Sequence, residues 1–221
     1  MLRNILIAVA AVVVVLLVVI ATRPPTYRVS RSTNVAGPPS VVYAQVVDFH
    51  RWDAWSPWAK LDPSAKVTYA GPASGPGAAY AWSGNDKVGE GKMLITGVKQ
   101  NEEVNIKLDF IKPFEATSLT GFALEPTSGG TKVTWMMSGE NNFVMKGMSL
   151  FHDMDADIGK DFDRGLASLK AVSETEAKRE AAEMAAQKAA ADAAAAQAAA
   201  ALAAADAAAA AAAAKPAKHH K

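Results

Sequence analysis

The sequence contains no cysteine. Disulfide bonds, thiolate metal ligands and a cysteine nucleophile are therefore excluded, and either redox compartment suits the chain. Histidine is scarce: there are four, two of them in the terminal HHK. The HExxH, CxxC, P-loop, GxSxG and GxGxxG patterns are missing, and with them the short motifs that specify zinc proteases, nucleotide-phosphate loops, serine hydrolases and dinucleotide folds. Neither sign of charge dominates. Residues 27–173 hold 15 Lys/Arg against 16 Asp/Glu, and residues 174–221 hold six of each. Without a basic stripe there is no electrostatic footprint for nucleic acid. No nucleic-acid partner, metal or cofactor is expected. Aromatic residues make up only 7% of the chain, yet three of its five tryptophans, Trp52, Trp55 and Trp58, fall in FHRWDAWSPW.

Three compositions are joined end to end, and they divide the chain into 1–23, 24–173 and 174–221. The first contains ILIAVAAVVVVLLVVIA, Ile5 to Ala21, an uncharged apolar run. Seventeen residues at about 1.5 Å each make a helix of about 26 Å, close to the hydrocarbon thickness of a bilayer, and Arg3 and Arg23 can snorkel outward from its ends. A core helix would rarely be apolar on every face. A cleaved signal peptide ending Val19-Ile20-Ala21 is the alternative. The run exceeds the usual apolar segment of such peptides, so an uncleaved signal anchor is expected. The expected location is the membrane, crossed once through residues 5–21, with the amino terminus inside and the domain outside the cytoplasm. Arg23, Arg28 and Arg31 after the helix run against a simple positive-inside count.

Pro24-Pro25 ends that helix, since proline supplies no donor. TYRVSRSTN (26–34) alternates as a strand. Gly37-Pro38-Pro39-Ser40 turns into a helix expected over Val41 to Phe49. Six more strands are read at 67–71, 78–84, 91–98, 103–111, 116–126 and 131–140, separated by short turns such as Asn85-Asp86, Gln100-Asn101, Lys112-Pro113 and Ser128-Gly129-Gly130. Connections this short predict an antiparallel meander. Met148, Phe151, Met154, Ile158, Phe162, Leu166 and Leu169 then recur at three- and four-residue steps, predicting one long helix with a single apolar stripe. Its charged face, Asp153 to Arg164, reads as solvated.

A helix stripe that covers a curved sheet solves the burial problem of both elements. The segments FHRWDAWSPW, AWSGNDKVGEGKM, DFIKPFEA, GGTKVTWMMSGENNF and KGMSLFHDMDADIGKDFDRGLASLKAV resemble the polyketide cyclase/dehydrase-type branch of the SRPBCC (START-like, helix-grip) superfamily. The resemblance covers residues 27–173. It implies an α+β helix-grip fold, a curved seven-stranded antiparallel sheet around a long C-terminal helix. It does not fix the function, because the superfamily spans lipid transfer, polyketide cyclisation, ligand sensing and chaperone activation.

Strand alternation puts Tyr80 with Trp82, Ile106 with Leu108 and Phe110, and Val133 with Trp135 and Met137 on large-residue faces that should meet the long helix. Such residues fill a core or line a pocket. As a pocket, the expected lining is Tyr80, Trp82, Trp135, Met137, Met154, Ile158 and Phe162, with Trp52 or Trp55 near the mouth. An indole offers a broad apolar face and one N–H donor, which suits a hydrophobic small molecule or lipid. The tryptophans of FHRWDAWSPW read chiefly as core, Trp52 and Trp55 packing under the first helix, with a share in the pocket mouth. A membrane belt is a third option, although belt tryptophans usually flank a spanning helix closely and these lie about 30 residues beyond it. For acid–base chemistry the candidates are His50, His152, Glu90, Asp86 and Glu140. Cyclisation needs a base beside a donor for the enolate, and no two of them stand at a telling spacing. No catalytic residue is assigned. Three functions stay open: a membrane-tethered, non-catalytic binder of hydrophobic ligands, a cyclase/dehydrase-like enzyme, and an envelope scaffold.

Alanine fills 28 of the 48 residues from Glu174 to Lys221. That composition favours helix strongly. Met184 and Leu202 are its only larger apolar residues, so there is no heptad seam for a coiled coil. The segment is read as a low-complexity helix with a short basic end, Lys215 to Lys221.

Overall fold

The computed structural model describes residues 1–150 and 153–213. The expectations for Phe151, His152 and the basic end Lys215–Lys221 lie outside the described residues. Helix α1, Leu2–Ala21, is apolar throughout, and Ile20 is its one buried residue. Strand β1, Thr26–Val35, leads into helix α2, Pro39–Val46, and a 3-10 helix, Phe49–Ala54. Strands β2 (Lys66–Ala70), β3 (Ala79–Ser83), β4 (Glu90–Lys99), β5 (Glu103–Lys112), β6 (Ala116–Thr127) and β7 (Gly130–Glu140) follow, then helices α3 (Phe143–Met148) and α4 (Met154–Ala213).

The seven strands form one antiparallel sheet in the order β1-β7-β6-β5-β4-β3-β2. The meander is as expected, and β1 closes it by pairing with β7 along its whole length, from Thr26 opposite Glu140 to Val35 opposite Thr131. Register shifts between β4 and β5, at Glu90/Gly91 and Ile95/Gly97, bend the ribbon as bulges do. Alternation then decides the faces. Val104, Ile106 and Leu108 of β5 and Val133, Trp135 and Met137 of β7 are buried, while their neighbours Asn105 and Lys132 are exposed.

Two expected helices are shorter than the periodicity suggested. The helix after the Gly-Pro-Pro turn stops at Val46, and Phe49 belongs to the 3-10 turn. The Asp48 side chain accepts the His50 N–H at 2.9 Å, and this local bond starts the new turn. The stripe from Met148 to Leu169 is not one helix. Met148 ends α3, capped by Asn142 accepting the Met145 N–H. Asp153 accepts the Ala156 N–H at 3.1 Å, capping the start of α4. Met148 is consequently exposed, and the buried stripe is Phe162, Leu166 and Leu169.

The chain divides into two compact units, Met1–Ala177 and Lys178–Lys221. In the second, Arg179–Glu183 and Lys188–Asp192 pair one helical turn apart, at 2.6 and 2.8 Å, and residues 181–210 are exposed. By length and composition, α1 and α4 are both apolar enough to cross a membrane.

Candidate functional site

The pairing register sorts the concave face of the sheet into rows. One runs Arg31–Trp135–Phe122–Val104, and the next runs Val29–Met137–Thr120–Ile106–Ile95. A third runs Tyr27–Gly139–Ser118–Leu108–Met93–Tyr80–Tyr69, and a fourth Ala116–Phe110–Gly91–Trp82–Val67.

Helix α4 lies over the first of these rows. Phe162 stacks on Trp135 with centroids 4.1 Å apart, and Trp58 meets both rings edge-on. Arg31 forks onto the Asp155 carboxylate at 3.1 and 3.0 Å, with Asp163 3.7 Å away. Further along, Lys170 donates to the Asn34 carbonyl and Glu174 accepts the Ala36 N–H. All these contacts fall at or beyond Arg31 on β1. The space they enclose is filled. Trp52 and Trp55 are interior, 5% and 1% exposed, with ring centroids 4.7 Å apart, and both meet Phe122 edge-on.

The third and fourth rows differ. Tyr27, Tyr80, Trp82 and Phe110 are half-buried, and Leu108 and Met93 keep 8% and 9% of their surface. The result is a shallow aromatic and thioether-lined floor at the end of the sheet where β1 begins. Two glycines shape it. A Cβ on Gly139 would stand 2.8 Å from the Tyr27 ring, and one on Gly91 would stand 2.5 Å from the Trp82 ring. Both rings occupy the space that a side chain at these glycines would need. The first turns of α4 carry half-buried Met154 and Ile158, the latter packed against the core.

Several of the ring N–H and O–H groups are already engaged. Trp82 Nε1–H donates to the Val88 carbonyl at 2.9 Å. Tyr27 and Ser118 share a hydroxyl hydrogen bond of 2.7 Å. Trp135 donates to Thr120 Oγ1, Trp52 to the Val46 carbonyl and Trp55 to the Gln45 carbonyl. Burial raises the Tyr27 phenol, with the Ser118 bond partly opposing. It pushes Tyr80 up to about 12, helped by Tyr69 and Asp53. Both phenols therefore stay neutral at ordinary pH, and what the floor presents is uncharged ring faces.

The ionisable candidates are dispersed. Glu90 pairs with Lys112 at 2.8 Å. His50 Nδ1 lies 2.9 Å from Asp48 Oδ1, and its ring stacks on Tyr69 at 4.0 Å. Among the described residues no group of three or more His, Asp or Glu is placed to hold a metal ion. Two surface hollows, about 520 Å3 beside Lys92, Asp109 and Thr117 and about 320 Å3 beside Thr96, Asn105 and Leu119, involve the opposite face of the sheet.

Of the expected lining, the structure brings together Tyr80 and Trp82 on the floor, with Met137 in the adjoining row. It places Trp135, Phe162, Trp52 and Trp55 together in the filled half. Leu108 and Phe110, expected on a large-residue face, join the floor, and so do Tyr27 and Met93, to which alternation does not point; bringing the four side by side needs the cross-strand register.

Residues 26–174 match the family described as polyketide cyclase/dehydrase and lipid transport. No curated protein sequence matches the chain significantly. Solved structures share the fold at low identity. A protein of unknown function from Staphylococcus aureus aligns at TM-score 0.51 and 12% identity, over 69% of this chain and 96% of its own. An uncharacterised protein from Rhizobium leguminosarum aligns at TM-score 0.50 and 14% identity, over 68% and 95%. The di-domain ARO/CYC protein StfQ of the steffimycin biosynthetic pathway aligns at TM-score 0.50 and 11% identity, over 70% of this chain and 52% of its own.

Proposed function

The chain belongs, over residues 26–174, to the polyketide cyclase/dehydrase and lipid transport family, and from that premise we propose that it is a membrane-tethered, non-catalytic domain that binds a hydrophobic small molecule or lipid. In this reading α1 is the single-pass anchor and the domain stands outside the cytoplasm. The ligand lies on the open floor of the sheet, on Tyr80 and Trp82 beside Met137, under the first turns of α4 with Met154 and Ile158. Trp135, Phe162, Trp52 and Trp55 form the wall behind it.

One observation carries the proposal: Tyr27, Tyr80, Trp82 and Phe110 keep part of their surface exposed while the Trp82 N–H and the Tyr27 hydroxyl are engaged within the protein. A polar ligand would find the Trp82 N–H taken and the Tyr27 hydroxyl shared with Ser118, whereas an alkyl or polycyclic ligand needs no donor. Each methylene moved from water onto such a floor gains about 0.8 kcal/mol. A chain of roughly ten methylenes would thus gain about 8 kcal/mol, above the lower bound of about 4 kcal/mol for the cost of association.

The test is energy transfer from tryptophan to cis-parinaric acid bound by the full chain held in amphipol, with amphipol alone as blank. Saturable transfer is expected, weakened by Trp82→Ala and unchanged by the surface control Lys99→Ala. Transfer no greater than the blank from a folded chain refutes the proposal.

A cyclase-like enzyme is the second reading, and the His50–Asp48 pair favours it. The pair stands against Tyr69 at the edge of the same floor, where a base would meet an acidic C–H of a bound poly-keto chain. The same Asp48 oxygen also accepts the His50 backbone N–H, an ordinary capping role. Cyclisation of a poly-β-keto thioester that is lost in His50→Ala would establish this reading over the first.

A further inference from the structure

We infer that the end of the sheet from which α1 leaves is a membrane-seating surface, in which Phe114, Phe143, Val144 and Met148 dip into the bilayer interface. The inference rests on the reading of α1 as an anchor and adds how the domain sits on the membrane.

Helix α1 ends at Ala21 and β1 begins at Thr26, so the connection spans at most about 18 Å. It is also pinned. The Asn141 N–H donates to the Pro25 carbonyl at 2.7 Å, and Asn141 Nδ2 donates to the Pro24 carbonyl at 3.1 Å. The start of β1 and the end of β7 are thereby held close to the point where α1 would leave the hydrocarbon. Ile20, the one buried residue of α1, faces α3, with its Cδ1 3.7 Å from where a Cβ on Gly147 would stand. Helix α3 is therefore docked against the last turn of α1.

The exposed large apolar side chains at this end fit that level. Phe143, Val144 and Met148 on α3 are 54%, 58% and 47% exposed. Phe114, 62% exposed, sits in the β5–β6 hairpin, which the strand directions place at this same end. Three of the four lie on one six-residue helix whose neighbour is itself an exposed apolar segment. The opposite end contrasts sharply. Its connections are Gly71-Pro72-Ala73-Ser74-Gly75-Pro76-Gly77, Gln100-Asn101 and Ser128-Gly129, with no large apolar side chain. Aromatic and thioether groups gather at one end, beside the polar Asn85-Asp86-Lys87 turn between β3 and β4, whereas the turns of the other end carry none, a contrast that matches a domain with one face in a lipid interface and one in water. The occupant is the bilayer, because the apolar surface continues directly from α1. The floor formed by Tyr27, Leu108, Met93, Phe110 and Trp82 lies at this same end, so an apolar ligand could pass between bilayer and floor along a short path.

The absence of cysteine makes a direct test simple. Single variants Phe114→Cys, Met148→Cys, Ser128→Cys and Val12→Cys of the full chain are spin-labelled and placed in phosphatidylcholine nanodiscs, and collisions with oxygen and with an aqueous nickel chelate are measured. Labels at 114 and 148 should be several-fold less accessible to nickel than the label at 128 and favoured by oxygen, with the label at 12 deepest. Labels at 114 and 148 as nickel-accessible as that at 128, beside a deep label at 12, overturn the seating surface alone. Protection of 114 and 148 from both nickel and oxygen overturns it in favour of a protein contact. A water-exposed label at 12 overturns the anchor reading itself.

Discussion

The ring of Phe162 lies flat on the indole of Trp135, with centroids 4.1 Å apart and planes inclined by 5°. Gly165 allows the approach, since a Cβ there would stand 2.7 Å from the indole and 3.0 Å from Pro57. This stack joins α4 to the sheet. Phe162 is 1% exposed, so Phe162→Ala should cost about 3–5 kcal/mol of stability through lost burial and a cavity. Half-buried Ile158→Ala should cost clearly less. Denaturant midpoints of the full-length variants check both, and equal costs would mean that the stack is not the main fastening of α4.

Asp62 ties the segment before β2 to the β3–β4 turn. Its carboxylate accepts the Ser64 hydroxyl and N–H at 2.6 and 3.0 Å and the Asn85 N–H at 2.7 Å. The Ser64 hydroxyl first, then the Asn85 N–H, hold this carboxyl below its ordinary 3.8. A lowered folded-state value means the stabilisation is complete above the ordinary value and is lost as pH falls through the lower one. Asp62→Asn should therefore lower the melting temperature at pH 7, and the gap to the unmodified chain should narrow as pH falls below 3.8. A gap constant down to pH 2 would contradict the assignment.

The alanine-rich segment is predicted to be helical and dispensable for folding. It forms its own compact unit from Lys178 onward, and surface changes rarely exceed about 0.5 kcal/mol. Deleting 178–221 should leave the melting temperature within a few degrees. A fall of about 10 °C, which for a domain of this size corresponds to several kcal/mol, would show that the segment contributes to the fold.

The anchor reading predicts that membrane-bound chain resists carbonate extraction and retains residues 5–21. Release by carbonate, or a mature chain beginning at Thr22, would overturn the anchor reading, the second in favour of a cleaved signal peptide.

Much of the fold was legible because it follows from periods of two and of 3.6 separated by Gly, Pro and Asn turns. Each strand was placed within about two residues, the uncertainty natural to element ends. What failed was local. Asp48 and Asp153 cap new turns and override an apolar periodicity that runs across them, so Phe49 and Met148 left the helices expected for them. The floor was less legible than the fold. Trp82 and Phe110 are far apart in sequence and meet only through the β3–β4 and β4–β5 registers, across Gly91. Exposure at one end of a row likewise depends on how far α4 reaches, which Asp153 and the Arg31–Asp155 fork decide.

The central claim is that the floor of Tyr27, Met93, Leu108, Tyr80, Trp82 and Phe110 holds an apolar molecule. Native mass spectrometry of the full chain, purified from membranes in mild detergent and stripped of the detergent in the gas phase, tests it most directly. The account predicts a bound species of lipid-like mass on the unmodified chain, reduced in Trp82→Ala and retained in Lys99→Ala. Folded chain at its bare mass, with no adduct beyond detergent in any variant, would contradict the account and leave the scaffold reading in its place.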